Sequence, residues 1–207
     1  MPESTLELWQ RQDRLVGVRR QLFATVASWV GATSALYPGS YVDIAPSFAI
    51  ADVTYVDVDR RANRFFDDRA GVDEIVRTET GQRGRTITFV HADYTDPLPV
   101  ALDGFDLLIS LYAGFVSEHC TQHLRVGGTL LVNSSHGDAA MASIDDRFVL
   151  AGVVTGRDGT YAVTDGDLDR YLVPKKPIAI TRDLLHELGR GIAYTTSPFA
   201  YLFRRTT

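Results

Sequence analysis

Short apolar runs alternate with amphipathic stretches along most of the chain, and this alternation predicts the fold class. Apolar positions recur with helical spacing between the runs, for example at Val72, Ile75 and Val76. Strands and helices that alternate in this way are typical of an α/β fold with a mainly parallel sheet. The runs that predict strands are residues 34–37, 53–58, 85–92, 105–112 and 127–134.

The first 31 residues predict one N-terminal helix ahead of this alternating region. Ser4 and Glu7 have the spacing of a capping box, and Gly31 stands where a helix commonly ends. The apolar face of this helix fits either a cover over a site or a contact between two subunits, so both a monomer and a homodimer remain open. The residues that recur at intervals of three and four on that face are Leu15, Val18, Leu22, Val26 and Trp29.

Residues 135–180 depart from the alternation. The runs "FVLAGVV" and "YAVTD" flank a turn and predict a β-hairpin, and a loop with two prolines and two lysines follows. Thr181 then stands at the start of a helix that Gly189 or Gly191 ends, and two strand-like runs surround Ser197-Pro198. We expect residues 1–207 to form a single domain in which 135–180 is an inserted lid.

Composition and charge limit the classes of function. Of 207 residues, 45% are apolar and 23% charged, and the formal charge of −5 gives no electrostatic reason to hold a nucleic acid. One cysteine, Cys120, suits a reducing cytoplasm, where we expect the protein to reside. No secretory signal is expected, and residues 21–42 are too interrupted by glycine, proline and polar residues to predict a membrane span.

A turn followed by a strand that ends in aspartate resembles a nucleotide site. Residues 36–48 read "LYPGSYVDIAPSF", in which Pro38-Gly39-Ser40 forms the turn without the expected run of glycines. Asp57 ends the next strand about 20 residues beyond the turn, the spacing of an acid that binds ribose hydroxyls. Asp59 is expected to cap the helix that follows. The turn alone fits a plain tight turn equally well.

Taken in order, these segments resemble the class I S-adenosylmethionine-dependent methyltransferases, over roughly residues 32–134 and 180–205. The resemblance implies a Rossmann-like fold: a mainly parallel seven-stranded sheet flanked by helices, here with a hairpin or lid inserted after the fifth strand. In that family S-adenosyl-L-methionine lies across the carboxyl ends of the first, second and fourth strands. "LRVGGTLLVN" resembles the turn that enters the fifth strand.

The resemblance also implies which residues contact the cofactor. Asp57 would hold the ribose, with Val58 beside it, and Asp93 would accept a hydrogen bond from the adenine amino group next to Tyr94. An alternative for Asp93 is a turn before Pro97. Tyr37, Pro38, Gly39 and Ser40 would meet the methionine portion, and Ser110 and Leu111 would line the place of methyl transfer.

Three residues are candidates for the chemical step. His136 would act as a base that Asp138 orients, and Tyr112 would act as an acid, a base or a substrate-orienting group. The alternative is that Ser135 or Asp138 caps a helix and His136 is a solvated loop residue. No metal site is expected, because His119 and His123 lack a third ligand nearby.

The sequence therefore predicts an S-adenosylmethionine-dependent methyltransferase that acts on a small molecule. The Asn-Pro-Pro-Tyr type of signature, found in enzymes that methylate nucleic acids or protein glutamine, does not occur in the chain. Two alternatives stay open: a methyltransferase-like binding or regulatory protein without catalysis, and an oxidoreductase that uses a dinucleotide.

Overall fold

The computed structural model describes residues 4–13, 17–82, 84–157 and 159–207. The helices are α1 Thr5–Gln12, α2 Val18–Val30, α3 Arg60–Asp67, α4 Arg69–Thr80, α5 Val116–Cys120, α6 Asp138–Ser143 and α7 Arg182–Leu188. The strands are β1 Ser34–Pro38, β2 Asp52–Asp57, β3 Thr86–His91, β4 Phe105–Ser110, β5 Leu124–Val132, β6 Phe148–Arg157, β7 Thr160–Thr164 and β8 Ala200–Arg205.

The eight strands form one sheet in the order β3-β2-β1-β4-β5-β8-β6-β7. Neighbours from β3 to β5 pair in parallel, whereas β8 runs antiparallel to both β5 and β6. The α/β fold with a mainly parallel sheet is thus confirmed, with one strand more than the seven expected. The count differs because both strands of the hairpin, β6 and β7, join the sheet, whereas only one of the two expected C-terminal strands, β8, forms.

The hairpin expected after the fifth strand is present, but it extends the sheet instead of covering it. Its first strand, β6, pairs with β8 along Phe148–Val154, and only its second half pairs with β7. These two strands therefore belong to the sheet, because β6 pairs with β8 and with β7. The role of the segment 135–180 as a lid stays a prediction. Asp158, in the predicted turn, lies outside the described residues.

Two apolar layers cover the sheet, one on each face. Successive side chains of a strand point to opposite faces, so Ala35 and Tyr37 of β1 join one core cluster while Leu36 joins the other. Helices α2, α3 and α4 cover the first face, and α5, α6 and α7 cover the second. This arrangement leaves the carboxyl ends of β1, β2, β3 and β4 together at one edge of the sheet.

The N-terminal segment forms two helices where a single one was predicted. The capping box of α1 is confirmed, since the Ser4 hydroxyl accepts from the Glu7 amide and the Glu7 carboxylate accepts from the Ser4 amide. Gly31 ends α2 in the left-handed conformation, as expected. Leu22 and Val26 are buried as predicted, Val18 and Trp29 are half-buried, and Leu15 lies outside the described residues.

The C-terminal region confirms one helix and one of two predicted strands. Thr181 caps α7 through its hydroxyl, which accepts from the Leu184 amide at 3.2 Å, and Gly189 ends the helix. The second strand-like run forms β8. The first forms only an isolated bridge between Tyr194 and Pro174. In the described ranges, no helix has the length and apolar character to cross a membrane.

A stack of aromatic rings holds α3 against β2 and β3. Phe66 is fully buried, with its ring centroid 5.0 Å from that of Tyr55 and 4.5 Å from that of Phe89. We expect Phe66→Ala to lower the free energy of unfolding by about 3–5 kcal/mol, because the substitution leaves a cavity in this stack. Urea denaturation measures the change.

Leu102→Ala is the control for this prediction, since the Leu102 side chain is 67% exposed. Its effect should stay within about 0.5 kcal/mol. If the Phe66 variant were as stable as the control, the aromatic stack would not support this layer of the fold.

Candidate functional site

The turn after β1 is fixed to the end of β2 by backbone hydrogen bonds. The Gly39 amide donates to the Val56 carbonyl at 2.8 Å. Gly39 has a φ of 66°, and a Cβ placed there would lie 2.8 Å from the Cβ of Ala113. Both the conformation and the close approach of the loop after β4 therefore require glycine.

Asp57 joins this turn to the loop after β2. One of its carboxylate oxygens accepts from the Tyr41 amide at 2.7 Å, and the other accepts from the Asp59 amide at 2.8 Å. The first bond stabilises Tyr41 in a left-handed conformation, with a φ of 49°, that residues other than glycine seldom adopt. Each carboxylate oxygen has a second lone pair, so Asp57 retains the capacity to accept two further hydrogen bonds.

A cavity of 330 Å³ opens at the carboxyl ends of β1, β2, β3 and β4. Its wall includes Val58, whose side chain is 58% exposed although it is apolar. An exposed valine beside a carboxylate suits a ligand with an apolar face and hydroxyl groups. The lining residues are Gly39, Asp57, Val58, Ala92, Asp93, Tyr94, Thr95, Tyr112 and Ala113.

Asp93 and Tyr94 form the side of this cavity that follows β3. One oxygen of Asp93 accepts from the Thr95 amide at 2.9 Å and from the Thr95 hydroxyl at 2.8 Å, and these bonds lower the pKa of Asp93. The alternative prediction of a turn is thus confirmed, and the residue lines the cavity as well. Burial raises the pKa of Tyr94, which stays a neutral phenol at physiological pH.

A second cavity, of 380 Å³, adjoins the first, and Gly39 and Tyr112 line both of them. The two cavities form one cleft across the ends of β1 and β4, where the order of strands in the sheet reverses. Open α/β sheets commonly bind ligands at such a reversal. The lining residues of the second cavity are Gln12, Arg19, Tyr37, Gly39, Ser40, Tyr41, Leu111 and Tyr112.

Arg19, on α2, lines the second cavity and was not predicted from the sequence. Its Nε donates to Asp43 at 2.9 Å and its Nη2 donates to the Tyr37 hydroxyl at 2.8 Å. The Tyr37 hydroxyl in turn donates to Asp43 at 3.1 Å. Arg19 lies four residues, about one helical turn, before the buried Phe23. A charged residue on the apolar face of a predicted helix was therefore the signal available in the sequence.

Charge balance within this cluster explains why an arginine is tolerated there. Burial is the largest single influence on the pKa of Arg19 and acts to lower it, but the negative charge of Asp43, the hydrogen bond to Asp43 and the nearby Tyr37 together outweigh burial and raise the pKa above its usual range. For Tyr37 burial acts in the opposite direction and raises the pKa of its hydroxyl far above the ordinary value, because burial disfavours the charged phenolate. At neutral pH the guanidinium of Arg19 is therefore charged and the phenol of Tyr37 is neutral.

Tyr112 occupies the boundary between the two cavities. It has a φ of 60°, and its side chain is 57% exposed at the mouth of the cleft. The Asn133 side-chain oxygen accepts from the Tyr112 amide at 3.4 Å and from the Ser135 hydroxyl at 2.8 Å. The end of β5 thus supports the loop after β4, and strained backbone at such a place is often part of a functional site.

Ser110 and Asp138 lie beneath the cleft, not in its wall. Asp138 is buried, and its carboxylate accepts from the Ser110 hydroxyl and from both the amide and the hydroxyl of Ser117. Ser110 lines neither cavity and its hydroxyl donates to Asp138; that Ser110 lines the place of methyl transfer stays a prediction. This carboxylate ties β4 to the first turn of α5.

The predicted pair of His136 and Asp138 does not form. His136 is exposed, and its Nδ1 is 2.9 Å from the Ser135 hydroxyl, whereas Asp138 faces Ser110 and Ser117. The role of Asp138 as the group that orients His136 is therefore corrected to a structural one. The catalytic role of His136 stays a prediction.

Most of the predicted cofactor residues come together in the cleft. Tyr37, Gly39, Ser40, Asp57, Val58, Asp93, Tyr94 and Leu111 all line one cavity or the other, as does Tyr112. Pro38 does not, because it is buried within β1 and paired with Val56.

His123 is buried and bonds the Ala101 carbonyl at 3.0 Å. Over the described ranges, no three potential metal ligands are grouped.

Asp138 should make the stability of the protein depend on pH. Burial raises the pKa of this carboxyl to about 6, from an ordinary value of 3.8. The folded chain then keeps a proton that the unfolded chain has lost, so the contribution of Asp138 to stability is present below the lower pKa and declines as pH rises through about 6. The free energy of unfolding should fall by up to about 3 kcal/mol across this window.

Asp138→Asn removes the ionisation at nearly constant shape, and exposed Asp146→Asn is the matched control. Chemical denaturation at several pH values should show that the free energy of unfolding of the wild type falls relative to that of Asp138→Asn as pH rises from 4 to 6. Asp146→Asn should show no such trend relative to the wild type. Parallel curves for wild type and Asp138→Asn would contradict the assignment.

Comparisons with known proteins agree with this arrangement at the level of the fold. No family model matches the chain, and no curated protein sequence does. Among solved structures, the cofactor-bound protein Rv0187 from MTB superposes with a TM-score of 0.53 at 14% identity, covering 78% of this chain and 88% of that one. A protein assigned as an O-methyltransferase from Klebsiella pneumoniae superposes with a TM-score of 0.51 at 12% identity, covering 79% and 89%. The chain therefore shares the Rossmann-like methyltransferase fold with these structures.

Proposed function

We propose that the protein is an S-adenosylmethionine-dependent methyltransferase that acts on a small molecule. The observation that carries this proposal is the placement of Gly39, Asp57, Val58 and Asp93 around one cavity at the carboxyl ends of four neighbouring strands. These residues are dispersed over more than 50 positions of sequence, and the fold brings them to one ligand-sized space.

The lining of the first cavity offers acceptors for the hydroxyl and amino groups of an adenosine. Asp57 has lone pairs for two ribose hydroxyls, and the exposed face of Val58 can contact the apolar face of a purine. The second oxygen of Asp93 can accept from an exocyclic amino group, since Thr95 bonds the first oxygen. Tyr94 then closes the end of the cavity.

The second cavity would receive the methionine portion of the cofactor. Tyr37 and Ser40 line it, as the resemblance implies for residues at the methionine portion, and Leu111, which follows β4, lines it as well. Gly39 belongs to both cavities, so a single ligand can lie across the turn. The absence of a side chain at Gly39 keeps the passage between the two halves open.

Methyl transfer requires alignment more than a strong base. S-adenosylmethionine, when bound, would supply the methyl group of its sulfonium to an acceptor atom, with S-adenosylhomocysteine as the leaving group. The residues of this chain would fix both reactants and exclude water between them. Tyr112 is best placed to contact the acceptor, because its side chain lies at the mouth of the cleft and its backbone is held by Asn133. His136 is the remaining candidate for a base.

A small acceptor fits the charge of the chain and the size of the cleft. The formal charge of −5 does not favour a polyanionic substrate. The mouth of the cleft presents Tyr112, an exposed aromatic side chain that can pack against an apolar or aromatic acceptor.

Dinucleotide chemistry is less well supported. A pyrophosphate usually binds the N-terminus of the helix that follows the first strand. Here the turn after β1 leads into a short 3-10 helix, Ala45–Phe48, that begins six residues beyond Gly39. A second candidate function, cofactor binding without catalysis, draws support from the separation of His136 from Asp138.

The test replaces Asp57 by asparagine and measures the binding of S-adenosylhomocysteine by calorimetry. We expect affinity to fall about tenfold or more, because an amide replaces one of the two acceptor oxygens. The new amide group also faces a backbone N–H, so we expect a loss of stability of about 1–3 kcal/mol, and titration should be done well below the melting temperature.

Asp52→Asn is the matched control, since Asp52 is exposed at the opposite end of the same strand. It should bind S-adenosylhomocysteine like the wild type. Equal affinities of the wild type and Asp57→Asn would show that the ligand does not use this carboxylate.

A further inference from the structure

We propose that His91 is a positioning residue of the adenosine half of the cleft, and that it acts by fixing the peptide group between Val58 and Asp59. The inference rests on the proposed function and adds to it a histidine that lies outside the lining of both cavities. It concerns the part of the first cavity wall that Asp57 and Val58 form.

Strand pairing brings His91 to the loop after β2. β2 and β3 run in parallel, and His91, the last residue of β3, lies opposite Asp57, the last residue of β2. The Nε2 of His91 lies 3.0 Å from the Val58 carbonyl oxygen, which is hydrogen-bond distance. Because a carbonyl oxygen can only accept, Nε2 carries the proton and donates it to this bond.

The peptide group that joins Val58 to Asp59 is thereby held at both ends. Its carbonyl accepts from His91, and its amide donates to the Asp57 carboxylate at 2.8 Å. Since a peptide group is planar and turns as one unit, a rotation would break both bonds. The two bonds together fix the backbone from which the exposed Val58 side chain reaches the cavity.

The same peptide group connects His91 to the carboxylate that we expect to hold the ribose. One oxygen of Asp57 accepts from the Asp59 amide and the other from the Tyr41 amide. Without the bond from His91, the peptide group can turn, and Asp57 then loses one of the two donors that orient it. His91 would therefore affect adenosine through Asp57 and Val58, without contact of its own.

Aromatic packing orients the His91 ring toward Val58. The ring centroid lies 6.4 Å from that of Phe89, two residues earlier on the same face of β3, with an interplanar angle of 20°. Phe89 stacks in turn on Phe66 of α3. The imidazole thus extends the aromatic stack to the end of the strand, and a side chain that packing already orders loses less entropy when it makes its hydrogen bond.

Three substitutions of His91 separate the hydrogen bond from the ring. His91→Phe keeps a ring beside Phe89 but has no N–H donor. His91→Gln keeps an N–H donor as many bonds from the backbone as Nε2, whereas the donor of His91→Asn is one atom nearer the backbone. Calorimetry with S-adenosylhomocysteine should show affinity about 3- to 10-fold lower for His91→Phe and His91→Asn, and within about twofold of the wild type for His91→Gln.

A second ligand tests where in the cleft His91 acts. 5′-Methylthioadenosine contains the adenosine of S-adenosylhomocysteine without its amino-acid end. We expect His91→Phe to weaken the binding of both ligands by the same factor, because the loop after β2 belongs to the adenosine half. His186→Phe is the matched control, since His186 pairs with Glu118 on the second face of the sheet, and it should bind both ligands like the wild type.

The wild type separates this inference from the proposed function. Because the His91 side chain is exposed, all three variants should fold, and circular dichroism checks this. If His91→Gln bound as weakly as His91→Phe, if all variants bound like the wild type, or if only S-adenosylhomocysteine lost affinity, the role of His91 would be wrong while the adenosine site would stand. If the wild type bound neither ligand, the proposed function and this inference would both fail.

Discussion

The cleft depends on the hydrogen bonds that attach the turn after β1 to the end of β2. The Gly39 amide bonds Val56, and the Tyr41 amide bonds the Asp57 carboxylate, which also holds the Asp59 amide. These bonds fix three loop positions relative to the sheet at the floor of the cleft. A short turn with one glycine can therefore serve where related folds use several glycines.

A second carboxylate, that of the buried Asp138, has a similar role on the other side of the cleft. Asp138 binds Ser110 at the end of β4 and Ser117 at the start of α5, and it thereby supports the loop that carries Tyr112. Asp57 remains partly accessible, whereas Asp138 is buried. The Asp57 carboxylate can therefore accept hydrogen bonds from a ligand, whereas the Asp138 carboxylate stabilises the backbone around the cleft. Both lie close to the carboxyl ends of parallel strands.

The sequence predicted the helices, strands and helix caps better than it predicted which strands pair and which side chains contact each other. Apolar runs and caps depend on neighbouring residues, so β1, β2, β4 and the caps at Ser4, Asp59 and Thr181 were all predictable. Pairing of β6 with β8 joins segments some 50 residues apart, which no local pattern reveals. For the same reason the sequence suggested that Asp138 would orient the nearby His136, whereas its partners are Ser110 and the more distant α5. Arg19 was missed because its partner Asp43 is buried only by the tertiary fold.

The central claim is that the cleft at the ends of β1 and β4 binds S-adenosylmethionine. Its most direct test is calorimetric titration of the wild-type protein with S-adenosylmethionine, S-adenosylhomocysteine and NAD in parallel. We predict one-to-one binding of the first two, because Asp57 and Asp93 can accept hydrogen bonds from their adenosine. We predict no binding of NAD, because the helix after the turn begins only at Ala45 and does not offer its N-terminus to a pyrophosphate. Binding of NAD alone, or of none of the three, would contradict the account.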